Sequence, residues 1–135
     1  MNKNIWTYIE KDKNGITDIS LQVLSKGKEL ANVTDAKLSS VVLGSDIKSL
    51  ADEIISYGAE KVYIAEHEDL EEYVTTLYRK IVVELVKNDT PDIFLFPGST
   101  QGNDLASVVA SELQTGCVMD CHDLVIENEQ LVQKR

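Results

Sequence analysis

The sequence predicts an α/β protein of three layers, in which helices cover both faces of a mostly parallel sheet. Short apolar runs alternate along the chain with longer segments whose apolar residues recur at helical spacing. Parallel strands need crossover connections, usually helices, and are buried on both faces, so continuous apolar runs are typical of them. The 135 residues suffice for one domain with a real core. We therefore expect one α/β/α domain over residues 1–135.

The first half of the chain predicts three strands and two helices. Apolar runs between polar turns predict strands at 5–9, 38–43 and 61–65. One helix begins near Thr17, and a second begins at an N-cap signal in 44–46 and ends at Gly58 as the C′ residue. The apolar face of the first helix consists of Val23, Leu24, Gly27, Leu30 and Ala31. That of the second consists of Ile47, Leu50, Ala51, Ile54 and Ile55.

The second half predicts the longest helix, from about 69 to 87, then a strand at 93–96 and a fourth helix between the loop at Gly98 and Gly116. A strand follows from 117, then a turn at 127–129 and another strand from 131. This alternation is typical of a Rossmann-like sheet. The sequence stops inside the last predicted strand, so we expect a domain truncated at its C-terminal end. The two apolar helix faces consist of Leu70, Tyr73, Val74, Leu77, Ile81 and Leu85, and of Leu105, Val108, Val109 and Leu113.

The charge of the chain argues against two classes of partner. Its formal net charge is −10, whereas nucleic acids and anionic membranes are bound by basic surfaces. No apolar run approaches the roughly 18 residues of a membrane span, and the first residues have no long apolar stretch of a signal peptide. Two cysteines are too few for a disulfide framework. We expect a cytoplasmic protein with no nucleic-acid partner and no membrane insertion.

The most informative stretch is 91–106, where an apolar run breaks at a proline-glycine loop and reopens as a helix. Ligands of open α/β sheets bind outside the carboxyl ends of the strands, where helix N-termini attract anions. Two glycines in the loop permit a cradle of free N–H groups for a phosphate. The candidate cofactor-binding residues are Gly98, Ser99, Thr100, Gly102 and Asn103.

A simpler explanation of this loop remains open. The loop has no lysine and matches neither the Walker A pattern nor the glycine pattern of dinucleotide-binding folds. Ser99 or Thr100 would then be the N-cap of the helix, and Asp104 would interact favourably with the helix dipole. The chemistry of these residues favours the simpler explanation without excluding the phosphate cradle.

Two other clusters suggest metal or catalytic chemistry only weakly. Cys117 and Cys121 would lie about 13 Å apart in a strand, at roughly 3.3 Å per residue, which is too far to chelate one ion. Asp120 and His122 beside them suggest, as a third and weaker hypothesis, a small enzyme. His67 opens an acidic run that the helix dipole explains. No nucleophile–base pair can be assembled from the sequence, so we expect no catalytic residues and no metal site.

Several motifs, taken in order, resemble the electron transfer flavoprotein alpha subunits. Residues 5–10 with Gly15, and 28–31, are similar to the first strand and helix of that family. Residues 57–65 are similar to its Gly-Ala-Asp/Glu-Lys-Val-Tyr strand. The family's central signature is followed in order by 91–96, 102–106, 113–116 and 120–121. Each motif is weak, but the ordered series covers essentially all 135 residues.

The resemblance implies an amino-terminal alpha-subunit domain that pairs with a beta subunit. The family's heterodimer shuttles electrons through FAD between flavoprotein dehydrogenases, such as acyl-CoA dehydrogenases, and a further acceptor, and some relatives bifurcate electrons from NADH. The FAD is expected on a separate carboxyl-terminal domain, which this sequence lacks, or at the beta-subunit interface. The segment itself would be a docking scaffold and an electron-carrier component, not an enzyme.

The chain departs from the family at the loop. Many relatives carry arginine where Asn103 stands, and proline-arginine where Ser107 and Val108 stand, which weakens anion binding here. We therefore interpret the loop as structural and interface-forming, with cofactor contact secondary. The alternative is a stand-alone nucleotide-binding module of the universal-stress-protein type, which would bind phosphates through Gly98, Ser99, Thr100 and Gly102.

Overall fold

The computed structural model describes residues 4–112, 117–120 and 123–127. The strands are β1 (Asn4–Ile9), β2 (Lys11–Asp12), β3 (Gly15–Ile16), β4 (Lys37–Gly44), β5 (Lys61–Glu66), β6 (Ile93–Pro97), β7 (Cys117–Asp120) and β8 (Asp123–Glu127). The helices are α1 (Asp18–Thr34), α2 (Leu50–Ser56), α3 (Thr75–Asn88) and α4 (Thr100–Glu112), with a 3-10 turn at Glu68–Leu70. β2 and β3 form a small separate hairpin, and the other six strands form the main sheet.

The main sheet has the strand order β5-β4-β1-β6-β8-β7. Parallel pairing joins β5, β4, β1 and β6, whereas β8 runs antiparallel to β6 and β7 antiparallel to β8. The predicted mostly parallel, Rossmann-like sheet is confirmed. The chain first builds outward from β1 and then returns to its other side to form β6, so the strand order reverses between β1 and β6. Open α/β sheets form their ligand crevices at such switch points.

Helices on both faces complete the three layers, and the two faces differ in composition. Successive side chains of a strand point to opposite faces, so Ile5 and Trp6 belong to different cores. The core beneath α1 and α2 is aliphatic and includes Ile5, Ile9, Val23, Leu24, Leu38, Val42 and Ile54. The core beneath α3 and α4 is aromatic and includes Trp6, Tyr8, Tyr78, Phe94 and Phe96.

Two predicted helix boundaries are confirmed. Thr17 is extended, and its hydroxyl oxygen accepts a hydrogen bond from the Ser20 N–H at 3.3 Å, so α1 begins where the sequence predicts. Gly58 follows α2 with a φ of +118°, and its N–H donates to the Ile55 carbonyl at 2.9 Å. A positive φ suits glycine, which explains this residue at the C′ position.

The predicted start of α2 at 44–46 is wrong. α2 begins at Leu50, and Ser49 makes no side-chain cap hydrogen bond. The N–H of Ile47 donates instead to the Glu66 carboxylate at 2.7 Å, and Asp46 has a φ of +55°. A contact from the end of the neighbouring strand β5 therefore holds this segment as a turn. Ile55, predicted on the apolar face, is 49% exposed.

The predicted long helix over 69–87 is also wrong at its start. α3 begins at Thr75, after the 3-10 turn and an extended Val74, so its 14 residues make it shorter than α1, which has 17. Val74, predicted on the apolar face, is 47% exposed. The side chains of α3 that are buried are Tyr78, Val82, Val83 and Val86.

The chain after α4 folds back earlier than predicted. Two antiparallel strands, β7 and β8, replace the single strand expected from 117, and Asp120 lies opposite Asp123 in their register. Glu127, expected in a turn, is the last residue of β8. The predicted strand from 131, and the predicted positions of Leu113 and Gly116, lie outside the described residues.

Candidate functional site

The carboxyl ends of β1 and β6 bring Glu10 and Ser99 together at the switch point of the sheet. Glu10 follows β1 directly, and Ser99 lies between β6 and α4. The Ser99 hydroxyl donates a hydrogen bond to Glu10 Oε1 at 2.5 Å, although 89 positions separate the two residues. Glu10 follows the first predicted strand, and no local sequence pattern signals this contact.

The backbone of Glu10 holds the start of α1. Its carbonyl accepts hydrogen bonds from the Thr17 N–H at 3.1 Å, the Thr17 hydroxyl at 3.2 Å and the Ser20 hydroxyl at 3.3 Å. Its N–H donates to Ser20 Oγ at 2.8 Å. Glu10 therefore links β1 to the first turn of α1 through its backbone and to the first turn of α4 through its carboxylate.

Ser99 caps α4. Its Oγ accepts a hydrogen bond from the Gly102 N–H at 3.0 Å, and its carbonyl accepts one from the Asn103 N–H at 2.8 Å. A hydroxyl that accepts from the N–H three residues later satisfies one of the free donors at a helix start. Of the two cap candidates, Ser99 makes this contact, and Thr100 is the first helical residue.

Gly102 lies where α4 approaches the end of β6. A Cβ atom built on Gly102 would lie 1.9 Å from the Pro97 carbonyl oxygen and 3.0 Å from its carbonyl carbon. No side chain fits at these distances, because the obstructing atoms belong to the backbone. The close packing of helix on strand therefore explains this glycine without any ligand.

The other predicted cofactor-binding residues lie at the surface of the same turn. Gly98, Thr100 and Asn103 are exposed, and Ser99 is partly buried. The Asn103 carbonyl accepts a hydrogen bond from the Ser107 hydroxyl at 2.9 Å, within the first turns of α4. The structure thus places all five predicted residues in one turn, with Gly102 facing the protein.

The hydrogen-bond donors of this turn are not free to bind the diphosphate of FAD. The N–H groups of Gly102 and Asn103 already bond to Ser99. The Glu10 carboxylate lies beside Ser99 and would repel a phosphate. Residues 98–103 contain no positive charge to offset that repulsion.

A second hydrogen-bonded group joins α3 to α4. The hydroxyls of Tyr73 and Thr75 both donate to Asp104 Oδ2, each at 2.6 Å. The Thr75 and Tyr73 hydrogen bonds lower the pKa of Asp104, because they stabilise the ionised carboxylate. Burial, followed by the bond to Asp104, raises the pKa of Tyr73 to about 12. Spacing placed Asp104 at a helix start but could not identify these partners.

Aromatic rings surround this group on the buried side. Tyr73 and Tyr78 pack edge to face with ring centroids 4.9 Å apart, and Tyr8 stacks on Phe96 at 5.6 Å. The Tyr8 hydroxyl donates to Gln101 Oε1 at 3.3 Å. Burial, together with the nearby tyrosines Tyr78 and Tyr73, raises the pKa of Tyr8 well above its ordinary value. These phenols are therefore neutral hydrogen-bond donors near neutral pH.

The remaining candidates provide little chemistry in the described part of the chain. His67 Nδ1 accepts a hydrogen bond from the Asp69 N–H at 3.0 Å and so caps the 3-10 turn. Within the described ranges, no group of three or more His, Cys, Asp or Glu residues could hold a metal ion. Cys117 and Asp120 lie in β7, whereas Cys121 and His122 fall outside the described residues. In the part of the chain that the structure describes, no helix is both long and apolar enough to cross a membrane.

Comparison with known proteins gives a family match over nearly the whole chain. The model of the electron transfer flavoprotein domain matches residues 5–135. The electron transfer flavoprotein subunit alpha of Megasphaera elsdenii is 32% identical over 128 residues, which are 95% of this chain and 38% of that protein. The acryloyl-CoA reductase electron transfer subunit beta of Anaerotignum propionicum is 30% identical over 130 residues, or 96% and 35% of the two chains. The chain thus spans well under half the length of these relatives.

One solved structure shows the fold alone. A universal stress protein, crystallised in complex with cAMP, superposes with a TM-score of 0.50 at 12% sequence identity. The superposition covers 81% of this chain and 90% of that chain. Identity at this level relates the two architectures and carries no functional conclusion.

Proposed function

This chain belongs to the electron transfer flavoprotein family, and we propose that it is the amino-terminal domain of an alpha subunit, acting as a scaffold that docks a beta subunit. The observation that carries this proposal is the family match over residues 5–135. The relative named subunit alpha, aligned over 95% of this chain, supports the assignment to that subunit. The order of the family motifs along the chain supports the amino-terminal position.

The proposed role of the assembled protein is to carry electrons through FAD between flavoprotein dehydrogenases and a further acceptor. The relative named as an electron transfer subunit of acryloyl-CoA reductase supports a dehydrogenase partner that acts on CoA thioesters, such as an acyl-CoA dehydrogenase. The chain would contribute to electron carriage and not to a reaction of its own. This proposal places it in the same compartment as those dehydrogenases, the cytoplasm.

We further propose that FAD is held outside this segment, on a carboxyl-terminal domain or at the beta-subunit interface. The engaged N–H groups of Gly102 and Asn103 and the carboxylate of Glu10 support this location. A cofactor that did approach the turn would have the exposed Gly98 and Thr100 available for contact. Such contact would be secondary to the structural role of the turn.

Binding measurements on the purified chain test the proposal. We expect it to form a one-to-one complex with the electron transfer flavoprotein beta subunit of the same organism, measured by size-exclusion chromatography with light scattering and by calorimetry. We expect the chain alone to retain no flavin absorbance after incubation with FAD and desalting. Absence of any complex would contradict the docking role, and tight FAD binding by the chain alone would contradict the proposed location of the cofactor.

Calorimetry also tests the universal-stress-protein alternative. A titration of the chain with ATP and with AMP should give no heat of binding, because a carboxylate lies beside the helix start that would hold the phosphates. A dissociation constant in the micromolar range, without a beta-subunit complex, would favour the alternative. Gly102→Val is unsuitable as a binding-site variant, because its side chain would collide with Pro97 whatever the ligand.

A further inference from the structure

A groove on the outer surface of α3 has the properties of a protein-binding site. It has a volume of about 480 Å³ and runs along α3 toward Glu112 at the end of α4. Its lining combines the partly exposed Leu77 with the cations of Arg79, Lys80 and Lys87, and the buried Val83 forms its floor. We call these five residues the α3 groove.

The cations of the α3 groove are unusual in this chain. The chain carries a net charge of −10, yet α3 has three cations and only one anion, Glu84. The helices α2 and α4 contain only anions among their charged residues, and α1 has equal numbers of both signs. The positive charge of the helical surface is therefore concentrated on α3.

These cations have no ion-pair partner within the described residues. Within the described residues, the ion pair of Lys61 with Asp89 lies outside the groove, and so does Lys26 on α1, which has a partner of its own. Glu84 and Glu112 line the same groove, and within the described ranges neither forms an ion pair with its cations. Arg79 is partly exposed. Such an arginine is well suited to a carboxylate, which it can bind through two parallel hydrogen bonds.

The spacing of the charges favours a polypeptide over a small anion. Arg79 and Lys87 are eight residues apart on one helix, which corresponds to about 12 Å at 1.5 Å per residue. A single phosphate or carboxylate cannot contact both ends of such a row. An amphipathic helix can, because its apolar side covers Leu77 and the lysine stems while its acidic residues reach the flanking cations.

We propose that the α3 groove docks an acidic amphipathic segment of the beta subunit. This inference rests on the proposed function, since it names the surface through which the scaffold holds its partner. The complementary charges would accelerate association and fix the orientation of the two subunits. The contact with Leu77 and with the aliphatic stems of the flanking lysines would provide the apolar part of the interface.

Charge reversal with a matched control tests the groove. The triple variant Arg79→Glu, Lys80→Glu, Lys87→Glu should bind the beta subunit at least about tenfold more weakly than the unmodified chain, with a smaller dependence on salt. The control Lys13→Glu, Lys37→Glu, Lys48→Glu makes the same change of charge at exposed lysines elsewhere and should retain the affinity to within about threefold. Circular dichroism should show both variants folded.

A conservative variant and a position-specific probe complete the test. Lys80→Arg, Lys87→Arg keeps the charges and leaves Arg79 in place, so this variant should bind within about threefold of the unmodified chain. A photoreactive benzoylphenylalanine at Thr76, which lines the groove, should cross-link to the beta subunit, whereas the same probe at Ser56 on α2 should not. If the complex forms but the groove variant binds like the control and Thr76 gives no cross-link, the inference fails while the proposed function stands. If the unmodified chain forms no complex with the beta subunit, both fail.

Discussion

The helices α1 and α4 are both tied to the sheet through Glu10, and the two junctions differ in rigidity. Each starts at a hydroxyl cap, Thr17 or Ser99, and each contact leads back to Glu10. Each also brings a glycine against the sheet. A Cβ on Gly27 of α1 would lie 2.7 Å from Thr7 Cγ2, whereas a Cβ on Gly102 of α4 would lie 1.9 Å from a backbone oxygen.

Both glycines lie in close contact with the sheet, but they differ in how well an added Cβ atom would be tolerated. The neighbours of Gly27 are the methyl groups of the buried Thr7 and Leu38, so an added Cβ displaces side-chain atoms and no backbone atom. The neighbour of Gly102 is the Pro97 carbonyl, and moving it would displace the end of β6. The α4 junction is therefore the rigid one, and it is also the junction that contains the predicted ligand loop.

The largest effect is expected from adding one methyl group at each glycine. Gly102→Ala should lower the free energy of unfolding by about 3 kcal/mol or more, because the backbone must shift. Gly27→Ala should cost about 1 kcal/mol, since the clash is partly offset by the better helix propensity of alanine. Urea denaturation of both variants measures the difference. Equal losses of unfolding free energy would show that the α1 and α4 junctions do not differ in rigidity.

A smaller effect is expected from removing the hydroxyl caps. Ser99→Ala should cost about 1–2 kcal/mol, because Gly102 loses an acceptor and the Glu10 carboxylate loses its donor. Thr17→Ala should cost about 0.5–1 kcal/mol, because Ser20 and the backbone N–H at position 17 still bond to Glu10. Thermal unfolding monitored by circular dichroism would rank them. A larger loss at Thr17 would contradict the view that the α1 junction is redundant.

The smallest expected effect on stability comes from Asp104 of α4, and it depends on pH. The pKa of Asp104 is lowered in the folded protein, so its carboxylate stabilises the fold at pH values above the ordinary value of 3.8. This stabilisation is lost as the pH falls through the lowered pKa. Asp104→Asn should therefore be less stable than the unmodified chain at pH 7, by less than about 1 kcal/mol because the carboxylate is partly exposed.

Comparing that variant with the unmodified chain between pH 7 and pH 3 measures the titration. The difference in unfolding free energy should shrink toward the acid end of the range. Tyr73→Phe combined with Thr75→Val serves as the control, since it removes both donors and should abolish most of the pH-dependent difference at Asp104. If the difference in unfolding free energy stays constant over this pH range, the charge of Asp104 does not contribute to stability.

The sequence predicted those parts of the fold that depend on local patterns. The strands at β1, β4, β5 and β6, the start of α1 at Thr17 and the C′ role of Gly58 follow from apolar runs, a hydroxyl cap and a glycine. The starts of α2 and α3 could not be predicted, because distant contacts decide them. Ile47 is held by the Glu66 carboxylate, and Thr75 is held by Asp104 on another helix.

The candidate site was likewise predicted only where local patterns decide its structure. The loop at 98–103 was located correctly from its strand–glycine–helix pattern, and Ser99 was one of two predicted caps. Glu10 was missed, because only the parallel pairing of β1 with β6 places it beside a residue 89 positions away. The assignment of the loop residues to a cofactor stays a prediction.

The position of β8 between β6 and β7 has a consequence for the order in which the chain is made. β7 is synthesised before β8, yet within the described residues it pairs only with β8. As the chain leaves the ribosome, β1, β4, β5 and β6 can assemble with their helices, while β7 must wait for its neighbour. β7 and β8 then join as one hairpin, a unit that forms within about 1–10 μs once its residues are free. The last described part of the sheet therefore depends on residues made after α4, whereas Glu10 and Ser99 are both present in the chain before them.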